Sequence, residues 1–558
     1  MYVEWDDPAT GLVRLLSITL RVLTRLQCVA RRQLAQEGAA LAGLYAGNPK
    51  RATTHPATER LLETFQEITL TLVIEPHQTR RHLTALTALK PRVLALLEFT
   101  PTMDTKLCGD SSEPPENEQT VSHQLRKVSS YVMALTEIER GALAALDEQK
   151  LIEALRDLLC IQSVTGQEAT AQHWLSHHMR QLGLDVDLWT IDIASLQKHP
   201  WFPGMEVDRS KHEAIGLVGA WQGTAGGDRS SDKRLIFNGH IDVVPEGDHA
   251  NWQHDPWGAE LVDGRIYGRG SCDMKSGLMA ALYAIKAIMD AGIPIDGSLM
   301  IQSVIGEEDG GIGTFASLLR GHTGDAAIVC EPTRLNLIPA QAGALTFTVR
   351  VHGKSAHACV RLEGVSAIEK YLDVHKVLIQ LERERNSEIE HPLLGKLALP
   401  YPLNIGRVQA GNWSSSVPEE LVFEGRIGVA MGEDSDSVRL QFEQTLKELA
   451  VADRWLCNHP LEIGWSGGQF DSGEIPMDHY LVKLCQQCML DLTGDKPEIE
   501  GAPYGSDLRL FVNVGGFPAL LFGPGDVKVA HMPDEFVDVQ EVILAARAYI
   551  LAAIRYFH

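Results

Sequence analysis

The chain has 558 residues, 44% of them hydrophobic and 22% charged, with 49 Gly and 26 Pro. That length is ample for several domains, and the composition excludes both a disulfide-held miniprotein and wholesale disorder. The 50 Lys and Arg against 73 Asp and Glu leave a net charge of −23, which repels phosphate backbones and speaks against nucleic acid as a partner.

Residues 1–104 read as helical and loop segments, with a basic amphipathic run at 12–32, and are expected to form an N-terminal extension. Residues 105–130 read as a linker, because Gly, Ser, Pro, Glu and Asn cluster there with few apolar residues. The acidic start, Met1 to Asp7, is unlike a signal peptide. No run of about 18 uncharged apolar residues is long enough to span a membrane. Nine cysteines, odd in number and mostly scattered, fit the reduced thiols of a cytoplasmic protein. Cys485 and Cys488 form one CxxC at helical spacing; with no second pair, they read as core.

From 131 onward the pattern alternates strands and helices. Short apolar runs at 234–238, 299–305, 326–330 and 519–522 carry the signature of buried strands. Lys275–Asp290 is expected as a helix, with Gly292 and Pro294 as its stop signal. At Leu345 the pattern changes: Leu345, Phe347, Val349 and Val351 alternate with Thr346, Thr348 and Arg350, as in a strand with one wet face. A helix (364–385), two strands (403–409 and 421–430) and a helix (435–450) follow. This order predicts a small ferredoxin-like α+β domain at 344–452, inserted into an α/β domain made of 131–343 and 453–558. The strand 345–351 is expected to leave an open edge available for pairing.

Each buried run ends in a polar cluster. His240 and Asp242 follow the first, Glu307 and Glu308 the second, Glu331 the third, and His531 lies shortly beyond the fourth. Asp273 stands just before the Lys275 helix. Ligands in open α/β sheets bind outside the carboxyl ends of the strands, so these clusters should share one crevice. Imidazoles and carboxylates suit zinc, cobalt or manganese, and five such groups hold two ions if one carboxylate bridges. The pair Glu307-Glu308 offers a ligand and a base. Asp242, two residues past His240, would share its face in an extended strand and take the free imidazole N–H.

These motifs resemble the M20 metallopeptidase family. The resemblance rests on Gly239-His240-Ile241-Asp242, Gly268-Arg269-Gly270-Ser271-Cys272-Asp273-Met274-Lys275, Gly306-Glu307-Glu308-Asp309-Gly310 and Glu331-Pro332-Thr333, and it covers 148–558. It implies that His240 and Glu331 bind one metal, Glu308 and His531 the other, and that Asp273 bridges. Glu307 would be the general base and Asp242 the orienting carboxylate. Gly353-Lys354-Ser355-Ala356-His357-Ala358 resembles the signature of the family's dimerisation or lid domain, whose histidine steadies the oxyanion, often from the partner subunit. Arg426 resembles the arginine that binds a substrate carboxylate, with a structural salt bridge as the rival reading. Ser416-Val417-Pro418 departs from the usual Asn-x-Val-Pro, so Asn412 or Ser416 would replace that amide.

The implied protein is a cytoplasmic homodimer, joined through the insert, with two divalent ions (zinc, or cobalt or manganese). It would hydrolyse a small N-acyl amino acid in the manner of acetylornithine deacetylase. A dipeptidase or carboxypeptidase is the alternative, and a non-catalytic binding protein on the same scaffold is a third reading. Cys272 reads as a buried neighbour of Asp273 rather than a nucleophile. Residues 41–53 resemble the tail of some insertion-sequence transposases and carry none of the metal motifs.

Overall fold

The structure is a computed structural model and describes residues 135–209, 212–223 and 232–558. The N-terminal extension, its transposase-like stretch and the linker lie outside the described residues.

Four strands run parallel at the centre of a nine-stranded mixed sheet, in the order Ser298–Val304, Arg234–His240, Ala326–Val329 and Ala519–Leu521. Most of their residues are apolar and buried on both faces because helices cover both sides, with Asn238, Gln302 and Ser303 among the buried polar exceptions. The chain enters at Arg234–His240, crosses through helix Lys275–Asp290 to one neighbour, and returns through Ile312–Arg320 to the other. Right-handed crossovers then put those two helices on opposite faces. Lys275–Asp290 packs on Val539–Phe557, while Ile312–Arg320 packs on Ser298–Val304 and Ile215–Gln222. The strand order reverses at Arg234–His240, which opens a crevice beyond its carboxyl end.

A three-stranded sheet of Glu260–Val262, Arg265–Tyr267 and Phe536–Asp538 joins the loop before the Lys275 helix to the loop after His531. Two motifs more than 250 residues apart in sequence are thereby brought side by side.

The second core belongs to a four-stranded antiparallel sheet, ordered Leu403–Ala410, Glu420–Val429, Gly343–His352, Glu462–Phe470, with helices Ala367–Arg385 and Ser435–Ala452. The alternation in Gly343–His352 is as expected: Leu345, Phe347, Val349 and Val351 are buried against Val374, Leu378 and Phe442. Two details differ from the sequence reading. The strand is interior, paired on both sides, and the sheet's edges are Leu403–Ala410 and Glu462–Phe470. Alternation reports a wet face; it carries no information on how many neighbours a strand has. The sheet also runs past 452 to the strand Glu462–Phe470, completing a β-α-β-β-α-β order. That strand holds Gly464, Gly467 and Gly468, so its β-signature is weak.

Candidate metal centre

His240 is the last residue of its strand and is 1% exposed. Its Nδ1 lies 2.8 Å from the carbonyl oxygen of Asp242. A carbonyl only accepts, so Nδ1 carries a proton, and Nε2 is left facing Asp273 Oδ1 at 3.0 Å. A lone pair aimed at a carboxylate oxygen requires a proton or a cation between them. The Asp242 carboxylate is not the direct partner: its Oδ1 is 3.8 Å from Nδ1. It accepts instead from the Glu307 and Glu308 N–H groups at 3.2 and 3.3 Å and from the Thr165 hydroxyl at 3.2 Å. The pleat puts residues two apart on one face only while a strand continues, and this one ends at His240. Asp242 thus orients the imidazole by its backbone and the glutamate turn by its side chain.

Asp273 is held from behind. The buried carboxylate of Glu535 accepts the N–H groups of Cys272 and Asp273 at 2.9 and 3.0 Å and pairs with Arg269 Nη1 at 2.6 Å. So fixed, Asp273 turns one oxygen to each imidazole: Oδ1 to His240, and Oδ2 to His531 Nε2 at 3.6 Å. His531, in left-handed backbone with φ of 60°, also lies 3.1 Å from Glu308 Oε1. Glu331 Oε1 is 4.0 Å from His240 Nε2. The donor atoms of His240, Asp273 and Glu308 lie within 4.8 Å of one another, as do those of His240, Glu307 and Glu331. The His240 side is closed to solvent, whereas the His531 side chain is 51% exposed, so access is from that side.

The electrostatics ask for cations. Burial and the Glu331 charge push Glu307 well above the ordinary carboxylate range, and burial with the Asp273 charge does the same to Glu331. Burial opposes a charge on His240, yet Asp273 and Glu331 raise it well above the usual imidazole value. The hydrogen bond to Glu308 raises His531 to about 9. The carboxylates of Asp273, Glu307, Glu308 and Glu331 carry a formal charge that two divalent ions would balance. The residues present therefore fit a two-metal site.

The insert residues are placed differently. His357 is exposed; its Nδ1 accepts the Cys359 N–H at 3.2 Å, and its backbone bridges Ser416. Asn412 is exposed on the same loop pair. Arg426 pairs with Glu206 at 2.9 Å. None of the hydrogen bonds or ion pairs described for these four residues reaches the carboxylate cluster. Cys272 is buried with its thiol on the Asp526 carbonyl, and burial raises its pKa, as suits a packing role. Cys485 and Cys488 are buried in helix Tyr480–Thr493. Two supporting residues escaped the sequence reading. Glu535 lay within the run around His531, where only its burial separates it from a surface acid. Tyr504 is held protonated by burial and by the charges of Glu331, Asp273 and Glu307, and no local pattern marks it.

Comparison with known proteins matches residues 236–555 to the model of peptidase family M20/M25/M40. An N-formyl-4-amino-5-aminomethyl-2-methylpyrimidine deformylase of Bacillus subtilis is 27% identical over 417 residues, covering 71% of this chain and 92% of that protein. The acetylornithine deacetylase of Shigella sonnei is 27% identical over 435 residues, covering 73% and 97%. In fold, the dipeptidase Dug1p of Saccharomyces cerevisiae superposes with a TM-score of 0.58 at 14% identity, covering 75% of this chain and 98% of that one. Human carnosine dipeptidase 1 gives 0.56 at 15% identity, covering 75% and 100%. Because the family match runs through the strand ends that carry His240, Asp273, Glu307, Glu308, Glu331 and His531, the chain belongs to peptidase family M20/M25/M40 and is a hydrolase of that family.

Proposed function

We propose that this hydrolase cleaves the amide bond of a small N-acyl compound with a water activated at a two-metal centre. The observation that carries the reading is Asp273, whose two oxygens face two imidazoles. His240, Glu331 and Asp273 would hold one ion, and Asp273, Glu308 and His531 the other. Zinc, cobalt or manganese there would supply Lewis acidity and a more acidic water.

The remaining chemistry belongs to the chain. Glu307 takes a proton from the attacking water and returns it to the leaving amine nitrogen as the C–N bond breaks, giving an acid and an amine. Asp242 steadies the turn carrying Glu307 through the N–H groups of Glu307 and Glu308. His357 donates to the oxyanion and Arg426, Asn412 and Ser416 contact substrate, which requires the insert to approach the centre, within a chain or across a homodimer. The edge strand Leu403–Ala410, followed by exposed Trp413, is the surface we assign to that dimer. Residues 131–342 and 471–558 would form the catalytic part of this cytoplasmic enzyme, since the insert's sheet takes Gly343–His352 and Glu462–Phe470.

The acetylated amino acid and the formylated aminomethylpyrimidine named for two relatives share an amide and differ in the rest of the molecule. Metal analysis, with hydrolysis of a panel of N-formyl and N-acetyl amines, N-acetyl amino acids and dipeptides, tests the reading. Two ions per chain and release of an amine from an N-acyl member are expected. Preference for dipeptides would favour a peptidase, and a metal-loaded protein that cleaves no member would overturn the proposal.

A further inference from the structure

A segment at 203–209 touches both cores. Its later half is fixed beside the glutamate turn. Arg209, 4% exposed, donates to the two oxygens of Glu168 at 2.8 and 2.9 Å and lies 3.4 Å from Asp309 Oδ1. The Val207 N–H donates to Asp309 Oδ2 at 3.0 Å, and Asp309 directly follows Glu307 and Glu308. Its earlier half is fixed to the insert's sheet, where the Gln469 N–H donates to the Pro203 carbonyl at 3.0 Å. The segment also lies flat on the turn, since a Cβ on Gly310 would stand 2.4 Å from the Gly204 oxygen.

Between these anchors Glu206 reaches the wet face of the small sheet. Its Oε1 is 2.9 Å from Arg426 Nη2 and 3.4 Å from Thr346 Oγ1. Arg426 lies over the ring of Phe470 at 5.8 Å, Arg509 lies over the same ring at 4.1 Å, and Arg509 donates to the Gly310 carbonyl at 2.7 Å. Arg426 thus pairs with a residue whose next neighbour, Val207, is anchored on the Asp309 carboxylate of the glutamate turn, and the Arg426 side chain is 46% exposed. An exposed ion pair adds little to stability. Its larger consequence is for recognition. A guanidinium presents paired donors that match a carboxylate, and here the chain's own carboxylate already holds Nη2. A substrate with a free carboxylate competes with Glu206 for the guanidinium and meets its negative charge, whereas one without meets a neutral pair.

We propose that Glu206 is a specificity-determining residue: by occupying Arg426 it sets the site for small N-acyl compounds whose amine part bears no free carboxylate. The inference rests on the amidohydrolase reading above. The test uses the metal-loaded full chain and substrate pairs that differ only in a carboxylate: N-formylbenzylamine with N-formylphenylglycine, and N-acetylbutylamine with N-acetylnorvaline. Wild type should prefer the neutral member in kcat/KM. Glu206→Gln should shift the ratio toward the acid by at least about 10-fold, mainly through KM of the acid. Arg426→Ala placed on Glu206→Gln should cancel that shift. Glu206→Ala reads the same ratio by a second substitution, and melting curves verify that each variant is folded. A wild-type preference for the acids, or a ratio that ignores Glu206, overturns this inference while leaving the amidohydrolase reading intact. A metal-loaded wild type that cleaves neither these pairs nor the wider panel overturns both.

Discussion

The strand-end centre and the wet face of the insert hold their candidate residues in different ways. At the centre Asp273, Glu308 and His531 face partners far away in sequence. Asp273 alone is fixed by Glu535 and faces His240 and His531. On the insert, His357 bonds to Cys359 two residues on, and Ser416 bridges only its neighbouring loop. A side chain at the end of a buried strand inherits its direction from the sheet. One on an open face takes its working position from whatever docks against that face. The first kind is complete within one chain, and the second waits for substrate, closure or a second subunit.

Asp273→Ala strikes the centre hardest. If one carboxylate serves two ions, this variant should lose metal at both positions and activity with it, whereas Glu308→Ala should weaken mainly one; metal analysis after dialysis decides. Equal metal content in Asp273→Ala and wild type would reject the bridge. Glu307→Ala should keep its metals and lose about 100- to 10,000-fold in turnover, and near-normal turnover with metals bound would remove Glu307 as the base.

His357→Ala probes the other side of the comparison. Metal content should be unchanged while kcat falls about 100-fold, the worth of one good oxyanion donor. Mixing His357→Ala with Glu307→Ala chains should restore part of the activity, since one of the two sites in a mixed dimer would hold both intact residues. No recovery in verified mixed dimers would place the histidine's action within its own chain. The smallest effect belongs to Glu535→Gln, which disturbs the peptide behind Asp273 without touching the donors. It should cost about 10- to 100-fold in metal affinity, with loss of stability from an Arg269 left buried beside a neutral amide. A metal titration that matches wild type would show that Asp273 does not depend on Glu535 for its position.

The centre was legible because its groups sit where a pattern of short range points: a run of apolar residues, then His240, Glu307-Glu308 or Glu331. The central strands fell within a residue or two of their predicted places, since burial on both faces leaves a continuous apolar stretch. Glu462–Phe470 was missed because three glycines dilute its signature and its partner strand lies more than 100 residues earlier.

By itself the sequence determined the α/β class, the presence of an inserted sheet, and the residue types that gather at the strand ends. These follow from periodicity and from the rule that a parallel sheet presents its carboxyl ends to one crevice. Only the tertiary structure decided that Gly343–His352 is interior, that Asp242 orients His240 through its carbonyl, that Glu535 holds Asp273, and that Glu206 occupies Arg426. Apart from the Asp242 carbonyl, which lies two residues past His240, each of those outcomes is a pairing between segments distant in the chain. A residue's own neighbours in sequence determine which face it takes, while its hydrogen-bond partner is chosen by the packing that brings another segment within about 3 Å.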